Sequence, residues 1–253
     1  TIYEKFRTNM KAIIIAAGQG LRLGDLTKNL PKSLLDINGK SILERQTELL
    51  QANGITEIIV VTGPNQEKFS DKKLKYVKDN FYENHEQLGS LMEARNFFNS
   101  ELLILFSDVL FDNQVLSKII NSNEDFNIAV DPNWEKNYTG RTEHPISQAD
   151  LSLIENNLII KIMKNLIPEN NCKITEFIGI IKLSQKGAEK FVNHYKNLEN
   201  SIDKNKLIKK WYLTNMLQDL IDNNNSIFPI TIEGNWCEID TVQDLERARK
   251  LFS

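Results

Sequence analysis

Short apolar runs recur through the first half of the chain, at residues 12–16, 57–62 and 102–106, with a fourth at 127–130. They are rich in Ile, Val and Leu and scarcely interrupted by polar positions. That pattern predicts strands buried on both faces, where strict alternation is lost. A shorter extended stretch is expected at 74–78. Between these runs the pattern turns helical. Ser41 followed three residues later by Glu44 is a capping box, and the helix it opens runs to Asn53-Gly54. Helices are also expected at 89–99 and 114–121. The strand–helix rhythm predicts the α/β class: a three-layer α/β/α arrangement around a mixed, mostly parallel sheet.

The second half is less regular. Residues 151–155 and 158–163 bracket Asn156-Asn157, a hairpin-like turn. A strand is expected at 177–183, helices at 184–195 and 211–222, a strand at 227–232 and a closing helix at 241–251. No repeat, low-complexity tract or clear boundary divides the 253 residues, so 1–253 reads as a single domain.

The most informative segment follows the first strand: Ala16-Ala17-Gly18-Gln19-Gly20-Leu21-Arg22, then Pro31-Lys32-Ser33. Glycines let the backbone turn tightly and approach a ligand, and successive N–H groups in such a turn suit anionic oxygens. Arg22 and Lys32 bring two cations to the same place, which describes a triphosphate-binding loop. It is not a dinucleotide fingerprint, since the third glycine position holds Leu23, and no window fits a P-loop.

These residues resemble the signature of sugar-nucleotidyltransferase-type NTP transferases, and the rest of the chain from about Met10 resembles the cytidylyltransferase branch. Phosphocholine and 2-aminoethylphosphonate cytidylyltransferases are better-known members. The resemblance implies a Rossmann-like nucleotidyltransferase fold. Residues 10–130 would form the nucleotide-binding half and 131–253 the half that binds the acceptor and completes the metal site. It implies transfer of CMP from CTP to a small phosphorylated amine or amino acid, with glutamine phosphate ahead of phosphocholine and 2-aminoethylphosphonate. Pyrophosphate is released and Mg²⁺ is required, in the service of capsule or surface-polysaccharide decoration. The runner-up is a sugar-1-phosphate nucleotidyltransferase. A non-catalytic nucleotide-binding regulator is the rival from another class.

Residue by residue, the resemblance implies that Ala16, Ala17, Gly18 and Gly20 cradle the triphosphate. Arg22 would meet the β and γ phosphates and Lys32 the α-phosphate or the acceptor. Asp108 ends an apolar run, where a carboxylate points into the ligand crevice, and is the first metal candidate. Asp240 is the second, with Glu238 alternating beside it. Gln87, Gly89 and Ser90 are expected around the base. Tyr138, Arg141, Lys164, Glu176 and Trp236 are expected around the acceptor. Asp244 is expected at the surface, and His85 and His194 are read as incidental.

Composition narrows the partners. A net charge of −3 without blocks of like charge argues against nucleic acid or an anionic membrane as partner. Two cysteines form neither a disulfide framework nor a zinc spacing. Residues 1–9 lack the apolar stretch of a secretory signal and read as an extension ahead of Met10. A cytoplasmic enzyme is the expectation, and the resemblance implies a homo-oligomer, which related enzymes often form.

Overall fold

The computed structural model describes residues 9–167, 172–201 and 207–253. Of the segment read as an extension, Asn9 alone lies within them. The first apolar run forms β1 (Lys11–Ala16), and its alternate side chains serve two cores. Ile13 and Ile15 pack into one cluster, while Ala12, Ile14 and Ala16 pack into another on the opposite face. A short β2 (Asp36–Ile37) and β3 (Lys40–Ser41) lead into α1 (Ile42–Ala52). Both halves of the capping box are present: Ser41 Oγ accepts the Glu44 N–H, and Glu44 accepts the Ser41 N–H.

Then come β4 (Glu57–Thr62), β5 (Lys75–Lys78), α2 (Gln87–Glu93), β6 (Leu102–Phe106), β7 (Val109–Phe111) and α3 (Asn113–Ile120). β5, β4, β1 and β6 lie side by side and run parallel. Helices α1 and α3 contribute to one core and α2 to the other, which gives the three layers.

The second half adds β8 (Phe126–Asp131), the short α4 (Glu135–Tyr138), the β9 (Asp150–Glu155) and β10 (Leu158–Lys164) hairpin, and β11 (Lys173–Leu183). It continues with α5 (Gln185–Glu199), α6 (Leu213–Asp222), β12 (Phe228–Thr231), β13 (Trp236–Glu238) and α7 (Val242–Leu251). β11 runs antiparallel to β6 and is the hinge of the sheet. One edge of β11 pairs with β8; the other pairs first with β9 and then with β6. Gly179, at φ +77°, sits where β11 passes from β9 to β6.

Three elements have a boundary more than two residues from expectation. The helix expected at 89–99 begins at Gln87, whose side chain meets the start of α6, and stops at Glu93; a 3₁₀ turn over Arg95–Phe97 replaces its end. The strand expected at 177–183 begins at Lys173, because Lys173–Glu176 pair with β9 despite their polar character. The helix after Ser184 continues to Glu199.

Two features aim the site. Gln46, buried on α1, donates its amide hydrogens to the carbonyls of Phe106 and Val109, clamping the turn that carries Asp108. β13 pairs with β7 so that Glu238 opposes Val109, and the Ile239 N–H donates to the Asp108 carbonyl. Those pairings bring two segments far apart in sequence to one point. No helix among the described residues is long and apolar enough to cross a membrane.

Candidate active site

A cavity of about 510 Å³ opens beyond the carboxyl ends of β1 and β6, where parallel α/β sheets bind ligands. Ala16, Ala17, Gly18 and Gly20 form one wall, Gln87 and Ser90 another, and Arg22, Lys32, Asp108 and Asp240 the floor and rim. Gly20 holds φ +64°, which an L side chain rarely adopts. Thr27 locks this turn by donating its hydroxyl to the Gly20 carbonyl at 2.8 Å.

The charged centre is Lys32. Its Nζ lies 2.8 Å from Asp108 Oδ2 and 2.5 Å from Asp240 Oδ1. Burial alone would depress the Lys32 ammonium, but the two carboxylates more than reverse this and hold it charged, above the ordinary lysine range. Arg22 stays largely exposed and reaches Asp240 Oδ2 at 2.8 Å. Burial works against the Asp240 carboxylate too. The His144 contact, Lys32 and Arg22 outweigh it and keep this carboxyl well below its usual range. Glu238 goes the other way: burial, then the charges of Asp240 and Asp108, push it well above the carboxylate range.

Sequence reasoning missed His144. Its ring is buried, with Nδ1 3.3 Å from Asp240 and Nε2 3.7 Å from Glu238. It sits in a loop, and nothing local marks it. Asp244, expected at the surface, is fully buried: it is the N3 partner of Thr241 in the capping box of α7, and it accepts from Arg141 Nε at 2.7 Å. Arg141 is therefore not a solvated loop residue. Its guanidinium is tied to Asp244 and lies 3.5 Å from Glu238, which binds the loop after α4 to the metal-candidate segment.

On the acceptor side, Tyr138 donates its hydroxyl to Glu176 Oε1 at 2.6 Å. Trp236 donates its indole N–H to Asp131 at 2.8 Å. Glu176, Asp150, Glu238 and Trp236 line a small chamber behind Phe106. Burial raises Glu176 to about 8, against the Tyr138 hydrogen bond, and burial raises Asp150 to about 6, against Lys164. Glu176 Oε2 and Asp150 Oδ1 are buried without a hydrogen-bond partner among the described residues. Lys164 stands near this chamber, bound to Gln148 and over the Tyr212 ring.

Gly89 does not line the nucleotide cavity. A Cβ there would come within 2.4 Å of the Lys209 carbonyl and 2.7 Å of His85 Cγ, so it allows close packing of α2. His85, read as incidental, is a cavity-lining residue paired with buried Asp79 at 3.0 Å. His194 pairs with Asp219 at 2.7 Å on helices away from the cavity.

The donor set fits a hard divalent cation. Asp108 Oδ1 is buried with no hydrogen-bond partner among the described residues, and across Lys32 from it Asp240 and Glu238 bring carboxylate oxygens within 4.8 Å of each other and of a His144 ring nitrogen. Oxygen ligands next to a phosphate-binding turn are what Mg²⁺ takes.

A parallel sheet ending in a glycine turn, with carboxylates from both halves of the chain gathered on one lysine, defines a nucleotidyltransferase. The chain belongs to the MobA-like NTP transferase domain family, whose model matches residues 12–166. It is 31% identical over 249 residues to the CTP:phosphoglutamine cytidylyltransferase of Campylobacter jejuni subsp. jejuni serotype O:2, which takes in 94% of this chain and 98% of that one. A choline-phosphate cytidylyltransferase of Streptococcus pneumoniae is 35% identical over 117 residues, 45% of this chain and 51% of that enzyme. The solved structure of CTP:phosphocholine cytidylyltransferase from Streptococcus pneumoniae superposes with a TM-score of 0.75. It covers 96% of this chain and 99% of that one at 23% identity, a likeness of fold.

Proposed function

We propose that this chain is a Mg²⁺-dependent cytidylyltransferase that moves CMP from CTP to the phosphate or phosphonate of a small amine-bearing acceptor. Glutamine phosphate is the first candidate, in keeping with the relative that aligns along nearly the whole chain. The observation that carries the reading is the meeting of Lys32, Asp108 and Asp240 at the mouth of the glycine turn.

In the reaction an acceptor oxygen attacks the α-phosphorus, the bond from that phosphorus to the bridging oxygen breaks, and pyrophosphate leaves. The chain's part is alignment and neutralisation of charge. The N–H groups of the 17–20 turn receive phosphate oxygens. Arg22, exposed at the rim, clamps the β and γ phosphates with its planar fork. Lys32 brings its ammonium to the α-phosphate, where negative charge must be neutralised. Asp108, Asp240 and Glu238 would hold Mg²⁺, which when bound supplies Lewis-acid stabilisation of that charge.

The acceptor's amine is matched to the chamber of Glu176 and Asp150, whose unpartnered oxygens await a donor. An ammonium arriving there favours the ionised carboxylates that burial now disfavours. Lys164 is the cation available at the chamber's edge for the acceptor's anionic end, while Tyr138, Arg141 and Trp236 support the chamber walls. The test is pyrophosphate release from each of the four nucleoside triphosphates in turn, with phosphorylated amines and Mg²⁺. CTP should be used best; turnover confined to another nucleotide contradicts the reading.

A further inference from the structure

Gln87, the residue nominated by the sequence to read the base, has its oxygen occupied. Oε1 accepts the Leu213 N–H at 3.1 Å, at the start of α6. What remains of the carboxamide is its two donors and a single lone pair on that oxygen. Cytosine presents an amino donor at the position where uracil presents a carbonyl acceptor. Selecting it takes acceptors, and the Gln87 oxygen is already held against the start of α6.

Two other groups on this wall are made into acceptors by a single buried carboxylate. Asp79 follows β5 and is fully buried. Its Oδ1 accepts the Phe81 N–H at 2.8 Å and its Oδ2 accepts the Ser90 hydroxyl at 2.8 Å. His85 Nδ1 lies 3.0 Å away. A carboxylate can only accept, so Ser90 gives it the hydroxyl hydrogen and His85 gives it Nδ1–H. Ser90 Oγ keeps its lone pairs. In the neutral ring, Nε2 becomes the unprotonated nitrogen. Both residues line the nucleotide cavity, and among the described residues neither side chain has a hydrogen-bond partner other than Asp79. Glu93, with a carboxylate oxygen within 4.8 Å of Asp79 and His85, adds an acceptor and no donor.

We propose that Asp79 sets the polarity of the base pocket: acting through Ser90 and His85, it presents hydrogen-bond acceptors to an amino-bearing base. Asp79 is a positioning residue, and His85 and Ser90 are the groups that meet the base. The inference rests on the cytidylyl-transfer reading and names the residues behind its nucleotide preference.

The test is kcat/KM for CTP and for UTP, at saturating acceptor, in wild type, Asp79→Asn and Ser90→Ala. An asparagine amide can donate to His85 Nδ1, which moves the ring hydrogen to Nε2 and turns an acceptor into a donor. The CTP:UTP ratio should fall at least about tenfold in Asp79→Asn and by a smaller factor in Ser90→Ala. A wild type that prefers CTP, with an unchanged ratio in Asp79→Asn, means a merely structural role and overturns this proposal alone. A wild type without preference for CTP removes the selectivity that Asp79 is meant to set and sinks the cytidylyl reading as well. If the variant does not fold, ¹⁵N-histidine NMR of the wild type decides. His85 should carry its hydrogen on Nδ1; a neutral ring with the hydrogen on Nε2 overturns the proposal.

Discussion

Lys32 and Asp240, separated by 208 positions, meet at 2.5 Å in the floor of the nucleotide cavity. This contact closes the site across the two halves of the chain. Asp240 also takes Arg22 and His144, so one carboxylate organises three basic groups.

Asp108→Asn and Asp240→Asn test the centre directly. Each should keep the fold, because Lys32 retains one carboxylate partner. Each should cut kcat by at least about a hundredfold, at roughly 1.4 kcal/mol for every factor of ten. Steady-state rates at saturating Mg²⁺, alongside circular dichroism, read this out. Near-normal turnover in either variant removes that residue from the mechanism.

Glu176 gives a pH signature. Burial raises its folded pKa to about 8, well above the ordinary 4.5 of a glutamate in the unfolded chain. Between these values the unfolded chain has released the proton and the folded chain still holds it. Stability therefore falls as pH rises through that window, by up to about 1.4 kcal/mol per pH unit. Glu176→Gln keeps the acceptor for Tyr138 and removes the titration. Its Tm relative to wild type should climb between pH 5 and 8. A constant difference across that range shows that Glu176 does not titrate there.

Arg141→Ala should act on stability before binding. The change leaves Asp244 buried without its guanidinium, and breaking such a pair costs about 3–5 kcal/mol. Thermal unfolding should show the loss, and Arg141→Lys should recover only part of it, since an ammonium lacks the planar fork. A Tm unchanged in Arg141→Ala would show that the tie to α7 carries no energy.

Lys164→Ala separates the two substrates. Lys164 stands beside the acidic chamber and does not line the nucleotide cavity. The acceptor KM should rise severalfold, while the KM for CTP stays put. Equal effects on both would move Lys164 out of the acceptor site.

What the sequence made legible was local. The apolar runs that became β1, β4 and β6 need no partner to be read, and neither does the capping box of Ser41 and Glu44. Asp108 and Asp240 could be nominated because each follows an apolar segment. The residues that escaped notice depend on distant partners. His144 acquires its place only when its loop folds against Asp240 and Glu238. Asp79 looks like an ordinary turn residue until Ser90 and His85 close on it. Asp244 was misread because helical periodicity reports which face is polar, not that Arg141 lies over that face. Lys173–Glu176 hid their strand because polar side chains broke the apolar pattern, although β9 and β8 pair with them.

The most direct test of the central claim follows the α-phosphate. CTP labelled at the α-phosphorus is incubated with Mg²⁺ and, separately, glutamine phosphate, phosphocholine, 2-aminoethylphosphonate or glucose-1-phosphate. The account predicts label in a CMP-linked amine product with release of one unlabelled pyrophosphate, most efficiently with glutamine phosphate. Label transferred only to glucose-1-phosphate, or no transfer from CTP to any acceptor, contradicts it.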